Sequence, residues 1–192
     1  DYQPSRGGYH AEEFLKGFSG YLTCDGFGGY NKLKDVIRCG CLAHMRRYWY
    51  DALPGKSKKT KEKTPAEIGF DYCNQLFELE KEYADLDAET RKVKRLETEP
   101  AIWKAYWSWL ETLHPAGGSR LAKAVTYAKN QKPYMENYLL DGRCSISNNI
   151  AENIARPYAV GRKNFLFHDT VKGARASSII YSLVETAKLN NL

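Results

Sequence analysis

Apolar residues recur along the chain at more than one spacing, and the changes in spacing divide it into zones 1–55, 56–140 and 141–192. The first zone is mixed. Residues 10–18 suit a short helix that ends near Gly17 and Gly20. Tyr21-Leu22-Thr23-Cys24-Asp25 is β-prone and stops at the turn-rich Gly26-Phe27-Gly28-Gly29. Val36 to Cys39 predicts a second short strand, and 42–53 a helix with Leu42, Met45, Trp49 and Ala52 on one face. In the second zone the step of three and four dominates. Ile68, Tyr72, Leu76, Leu79, Tyr83 and Leu86 form one apolar stripe, and 65–140 is expected to be helical. Residues 101–113 carry Trp103, Tyr106, Trp107 and Trp109, which at this spacing predict core packing over base stacking. Ser119 suits the cap of the next helix, and Pro133 the first turn of another. The last zone predicts a polar loop, a short helix, a strand or turn, and a final helix. In that helix Ile180, Leu183, Val184 and Ala187 make the expected buried stripe, beside the small residues Ala174, Ala176, Ser177 and Ser178.

The polar positions add direction. The run 56–63 has no apolar residue and reads as an exposed loop able to meet DNA phosphates. Across 192 residues, 29 Lys and Arg oppose 23 Asp and Glu, a formal charge of +6 that favours an anionic partner such as nucleic acid. Five cysteines, an odd count in a chain of this length, argue against a disulfide scaffold and for a reducing compartment, which points to the cytoplasm. No apolar run reaches the roughly 18 residues of a membrane span. The first residue is Asp1 rather than Met, which predicts an excised piece of a longer protein.

Two carboxylates stand out. Asp25 ends a strand and is followed by glycines, a place where ligands gather in sheet proteins with helical connections. It suits a hard cation, but taken alone it reads more readily as an ordinary Asp-Gly turn. Glu152 follows the helix start Ser147-Asn148-Asn149. With Asn149 as cap it falls at the third helical position, where either a capping role or a metal-ligand role is open. Arg156, one turn on, can pair with Glu152 or with DNA. Cys41 and His44, with Cys39 nearby, match no usual zinc-finger spacing, and burial of small thiols is the alternative.

Four strings occur in order. They are Tyr2-Gln3-Pro4-Ser5-Arg6; Gly20 to Asn31, with Cys24-Asp25-Gly26 at its centre; Gly40-Cys41-Leu42-Ala43-His44-Met45-Arg46-Arg47; and Ser147 to Glu152 running into Arg156-Pro157-Tyr158-Ala159-Val160-Gly161-Arg162-Lys163-Asn164. Together they resemble the transposases of the insertion-sequence sixty-six family. The resemblance covers the first and last fifty residues and spans the middle by position alone.

The resemblance implies an α/β fold: a ribonuclease-H-like core, made of 1–55 and 141–192, with a large all-helical insertion over 56–140. It implies an Asp, Asp, Glu site in which Asp25 is the second carboxylate and Glu152 the third, with the first on a strand upstream of Tyr2. Mg²⁺ or Mn²⁺ would serve an in-line phosphodiester displacement, cutting and joining DNA at mobile-element ends. Cys41 and His44 would support the site. Arg46, Arg47, Arg156, Arg162 and Lys163 are the candidates for holding phosphates. DNA, further copies of the chain and accessory proteins are the expected partners. The sequence departs from the family pattern at Cys24, where Thr is usual, at Asn153, where Arg is usual, and at His168-Asp169-Thr170, which replaces a small-residue turn. Without its upstream carboxylate the 192-residue chain is expected to bind DNA but not cut it. The rival readings are a basic DNA-binding module without catalysis and a ribonuclease-H-like nuclease.

Overall fold

The computed structural model describes residues 3, 5, 7–55, 62–164 and 168–192. Of the charged run 56–63 only Glu62 and Lys63 fall within it, both exposed; residues 56–61 lie outside, as do Tyr2, Pro4 and Arg6. The strand or turn expected ahead of the last helix falls partly on 165–167, also outside.

The described elements are α1 (Tyr9–Phe14), β1 (Gly20–Cys24), a 3-10 turn (Gly28–Lys32), β2 (Val36–Gly40), α2 (Leu42–Asp51), α3 (Pro65–Glu82), α4 (Ala88–Glu111), α5 (Arg120–Met135), a 3-10 turn (Asn137–Leu140), α6 (Asn149–Asn164) and α7 (Val171–Leu189). The chain is mostly helical, with a two-stranded parallel sheet. It divides into two units. One holds 18–27 and 34–148; the other holds 1–17, 28–33 and 149–192.

The first of these contains the core. β1 and β2 pair in parallel from Gly20 opposite Val36 to Cys24 opposite Gly40. α2 follows β2 directly and buries Leu42, Met45 and Trp49. α3 starts on a capping box: Thr64 Oγ1 accepts the Glu67 N–H at 3.3 Å, and Glu67 accepts the Thr64 N–H at 2.7 Å. Its buried face is Ala66, Gly69, Cys73 and Leu76 rather than the stripe of large residues read from the sequence; Ile68, Tyr72 and Leu79 are half-buried. The reason is Trp49, whose indole lies directly against Gly69 and leaves no room for a side chain there. The helix ends at Glu82, so Tyr83 and Leu86 belong to the turn that follows.

α4 is longer than the pattern predicts and carries Pro100 inside it. Trp103, Tyr106 and Trp107 are buried, as expected. Pro133 lies within the end of α5 and does not begin a new helix. α4 also fastens the chain that leaves α5. Arg95 pairs with Glu80 through two 2.6 Å hydrogen bonds and donates to the carbonyls of Tyr138, Asp141 and Cys144. Arg91 donates to the Gly142 carbonyl at 3.1 Å. Leu42 N–H then donates to the Ile146 carbonyl at 3.0 Å, and Thr23 Oγ1 to the Ser145 carbonyl at 3.1 Å. The helical block thus leaves after α2 and returns to the end of β1.

In the other unit α1 packs on the Gly28–Lys32 turn, and α6 packs on α7. Between these two helices Tyr158 meets Tyr181 edge-on, with ring centres 5.5 Å apart, and its hydroxyl lies 3.2 Å from His168 Nε2. α6 is a full 16-residue helix and begins at Asn149 itself, so Glu152 is its fourth residue. The stripe expected to be buried on α7 is not. Ile180 is 59%, Leu183 66% and Val184 44% exposed, and only Ala174 of the helix is buried. Periodicity identifies an apolar face but not what covers it.

Candidate functional site

β1 delivers Asp25 to its carboxyl end, and the backbone turns there at once. Asp25 Oδ1 accepts the Phe27 N–H at 3.0 Å, the side-chain turn that Asp makes readily. Oδ2 has no hydrogen-bond partner among the described residues. The Asp-Gly turn and the ligand role are therefore compatible: one oxygen shapes the loop, and the other is available.

The floor beneath this turn comes from β2 and α5. Arg38 is buried and donates to the Asp25 carbonyl at 3.4 Å, while its guanidinium stacks 4.1 Å from the centre of the Tyr134 ring. Asn137 holds the strand from the other side by donating to the Arg38 carbonyl at 2.6 Å. Gly26 lies so close to Tyr127 and Gln131 that a side chain there would meet their atoms at about 3.0–3.1 Å. Gly40 is similarly close to Met135. Tyr127 also stacks on Tyr48 of α2, with centres 4.4 Å apart and planes 23° from parallel. Burial pushes the Tyr127 hydroxyl up, and the neighbouring Cys41 and Asp25 add to the shift.

Cys41 is buried at the position before α2, its N–H donating to the Cys24 carbonyl at 3.1 Å; His44 is half-buried one turn later. Burial raises the Cys24 thiol above its ordinary range against the pull of Arg38. Cys39 is raised by its hydrogen bond to Cys144 and by burial, while that bond lowers Cys144. Among the described residues no three His, Cys, Asp or Glu side chains gather as a metal-holding group.

The predicted cations have different settings. Arg46 is committed inward: Nε donates to Asn74 at 2.6 Å and the guanidinium covers the Phe70 ring at 4.4 Å. Arg47 is exposed on the same helix. Glu152, Arg156, Arg162 and Lys163 are all exposed on α6. At 3.6 residues per turn, Glu152, Arg156 and Lys163 share a face and Arg162 stands to its side. Asp25, Cys41, His44, Arg46 and Arg47 belong to the unit that holds the sheet, and Glu152 with the α6 cations to the other.

Arg38, Tyr48, Tyr127 and Gln131 escaped the sequence reading. Tyr127, Gln131, Tyr134 and Met135 recur at helical steps, and that pattern shows a face without showing that Asp25 rests on it.

Residues 1–176 match the family described as Transposase IS66 family. The chain belongs to this family. The match takes in Asp25, Cys41, His44 and Glu152 and ends within α7. An uncharacterized protein of Sinorhizobium fredii, y4qI, is 31% identical over 204 residues, covering 100% of this chain and 37% of its own length. Two others from the same organism, y4hP and y4jD, are 26% and 28% identical over 97% and 100% of this chain. The chain thus spans a little over a third of the length of these relatives (37% to 39%). No solved structure matches it. Among the described residues no helix is long and apolar enough to cross a membrane.

Proposed function

We propose that the chain is part of the catalytic region of a DNA transposase that cuts and joins mobile-element ends. In this reading the parallel β1–β2 pair with α2 belongs to a ribonuclease-H-like core, and α3 to α5 are an insertion between its second and third carboxylates. The observation that carries the reading is the family match across both carboxylates, with Asp25 at the end of a strand and the helical block returning to that same strand end.

Asp25 and Glu152 would hold Mg²⁺ or Mn²⁺, with a further carboxylate from upstream. Mg²⁺ takes one or two protein carboxylates and keeps several waters, and Asp25, with one oxygen engaged by Phe27 and the other available, fits that demand. When bound, the metal supplies charge stabilisation for an in-line phosphodiester displacement. The chain's own contribution is positioning. Phe27 fixes the Asp25 carboxylate, Arg38 holds the strand end beneath it, and the Gly26 backbone lets Tyr127 and Gln131 approach. Exposed Arg47, Arg156, Arg162 and Lys163 would hold DNA phosphates, while Cys41 packs behind the turn. Arg46 serves the packing of α2 on α3 and joins the phosphate contacts least readily.

The test uses the longest reading frame that carries these residues, with element-end DNA and Mg²⁺ or Mn²⁺. Asp25→Ala and Glu152→Ala are each expected to abolish metal-dependent cleavage and to leave DNA binding intact. Full cleavage by the Glu152→Ala protein would remove that residue from the site. DNA binding that ignores salt would remove the phosphate contacts, since affinity carried by Lys and Arg falls steeply as salt rises.

A further inference from the structure

Between α2 and α5 lies an open cleft of about 360 Å³ lined by Tyr48, Gly118, Ala122, Lys123, Thr126, Tyr127 and Asn130. We infer that this cleft seats one unpaired nucleotide of a DNA strand, its base stacked on the Tyr48–Tyr127 pair and its phosphate on Lys123. The inference rests on the transposase reading and extends it, giving the helical block a substrate-binding role.

The argument starts from the aromatic pair. Tyr48 stacks on Tyr127 and is still 37% exposed, so a flat ring can extend the stack from the solvent side. Every base has a π-face, and stacking on aromatic side chains is how proteins hold single strands without reading sequence. Bases inside a duplex have their faces occupied by their neighbours, so the partner is an unstacked nucleotide. Polar groups line the same cleft. Lys123, Thr126 and Asn130 are exposed along the cleft, offering a cation and hydrogen-bonding groups to a sugar-phosphate. The volume is near the lower end of the roughly 300–1,000 Å³ of small-ligand pockets, which suits a single nucleotide.

A second observation separates this face of α5 from ordinary helix packing. Tyr127 Oη and Gln131 Oε1 are buried, and neither has a hydrogen-bond partner among the described residues. Native cores rarely keep such atoms, because burying a polar group unpaired is costly. Phe and Leu would pack the same face without that cost. Both residues touch Gly26, the neighbour of Asp25, so this face of α5 packs on the turn that carries the carboxylate of the proposed chemistry.

The test is binding of the 192-residue chain to a fluorescent single-stranded DNA 12-mer carrying 2-aminopurine, with a duplex of the same sequence alongside. The expected result is quenching of 2-aminopurine on binding the single strand. Tyr48→Ala should lose that quenching and bind the strand about tenfold more weakly, whereas Tyr48→Phe, which keeps the ring, should bind like the unaltered chain. Lys123→Ala should lower the dependence of log affinity on log salt by about 0.7, the contribution of one single-strand phosphate. Melting curves of the variants check that the folds are equal. Single-strand binding with unchanged affinity and quenching in Tyr48→Ala overturns the inference and leaves the transposase reading standing. Equal losses on the duplex overturn the stacking step in the same way. No binding of either DNA overturns the inference, while cleavage of element-end DNA by the longer reading frame decides the transposase reading separately.

Discussion

At Glu99, burial decides the protonation state. The residue is fully buried in α4, accepts a hydrogen bond from the Tyr138 hydroxyl, and has Glu80 of α3 and Arg95 as charged neighbours. Trp103 Nε1 donates to the same hydroxyl at 3.1 Å, so the chain of donors is fixed. Loss of water pushes the carboxyl up to about 8, with the charge of Glu80 adding to the shift and Tyr138 and Arg95 opposing it. The folded value lies above the roughly 4.3 of an unfolded Glu, so the folded state binds the proton more tightly. The stability it contributes is complete below that unfolded value and is lost as pH rises through about 8. Thermal melts should therefore show a decline in Tm across this window, and Glu99→Gln, which keeps a neutral amide there, should make the decline shallower. An identical slope in the variant would mean that Glu99 is already ionised in the fold. Such a residue is illegible in sequence, because a Glu in a helix rich in charge reads as a surface position. The position of Asp25 was legible for the opposite reason: a strand end followed by an Asp-Gly turn is marked by its local neighbours alone.

Between elements, small residues decide the fit, and a pattern of large ones misses them. The stripe from Ile68 to Leu86 located α3 correctly but placed its buried face one position to the side. Ala66, Gly69 and Cys73 are what α3 presents to the core, with Leu76 the position common to both readings. Gly69 is the sharpest case. In a helix interior Gly costs about 0.5–1 kcal/mol relative to Ala, so an exposed Gly→Ala change is ordinarily stabilising. Here the added methyl would enter the Trp49 ring, which is held by its own hydrogen bond from Nε1 to Tyr106 Oη at 3.1 Å. Overpacking of this kind costs about 1–3 kcal/mol, more than the helix propensity returns. Gly69→Ala is thus expected to lower the midpoint of urea unfolding with little change in its slope. A raised midpoint would show that Trp49 moves aside freely, and that α3 does not depend on this contact. The same limit applies to the end of the block. Nothing local to Arg91 or Arg95 marks them as the residues that hold 138–144, since their partners lie more than forty positions away.

For the whole molecule, the two units differ in how much each buries. The buried apolar cluster from Cys39 to Ile146 lies wholly within the unit that contains the sheet. In the other unit α6 buries no residue and α7 buries Ala174. Amide exchange proceeds through local opening, and its cost follows the buried contacts that opening breaks. Hydrogen exchange read by mass spectrometry should accordingly find amides of α4 and α5 protected far longer than those of α6 and α7. The contrast bears on function, because Glu152, Arg156, Arg162 and Lys163 all stand on α6, and in the proposed reading Glu152 holds metal and the three cations meet DNA from the less protected unit. Adding element-end DNA should slow exchange in α6 more than in α4. Equal protection of all four helices in the free chain would contradict the argument. It would mean that the exposed Ile179, Ile180 and Leu183 of α7 are covered in solution, and a dependence of the exchange on protein concentration would then identify a second copy of the chain as the cover.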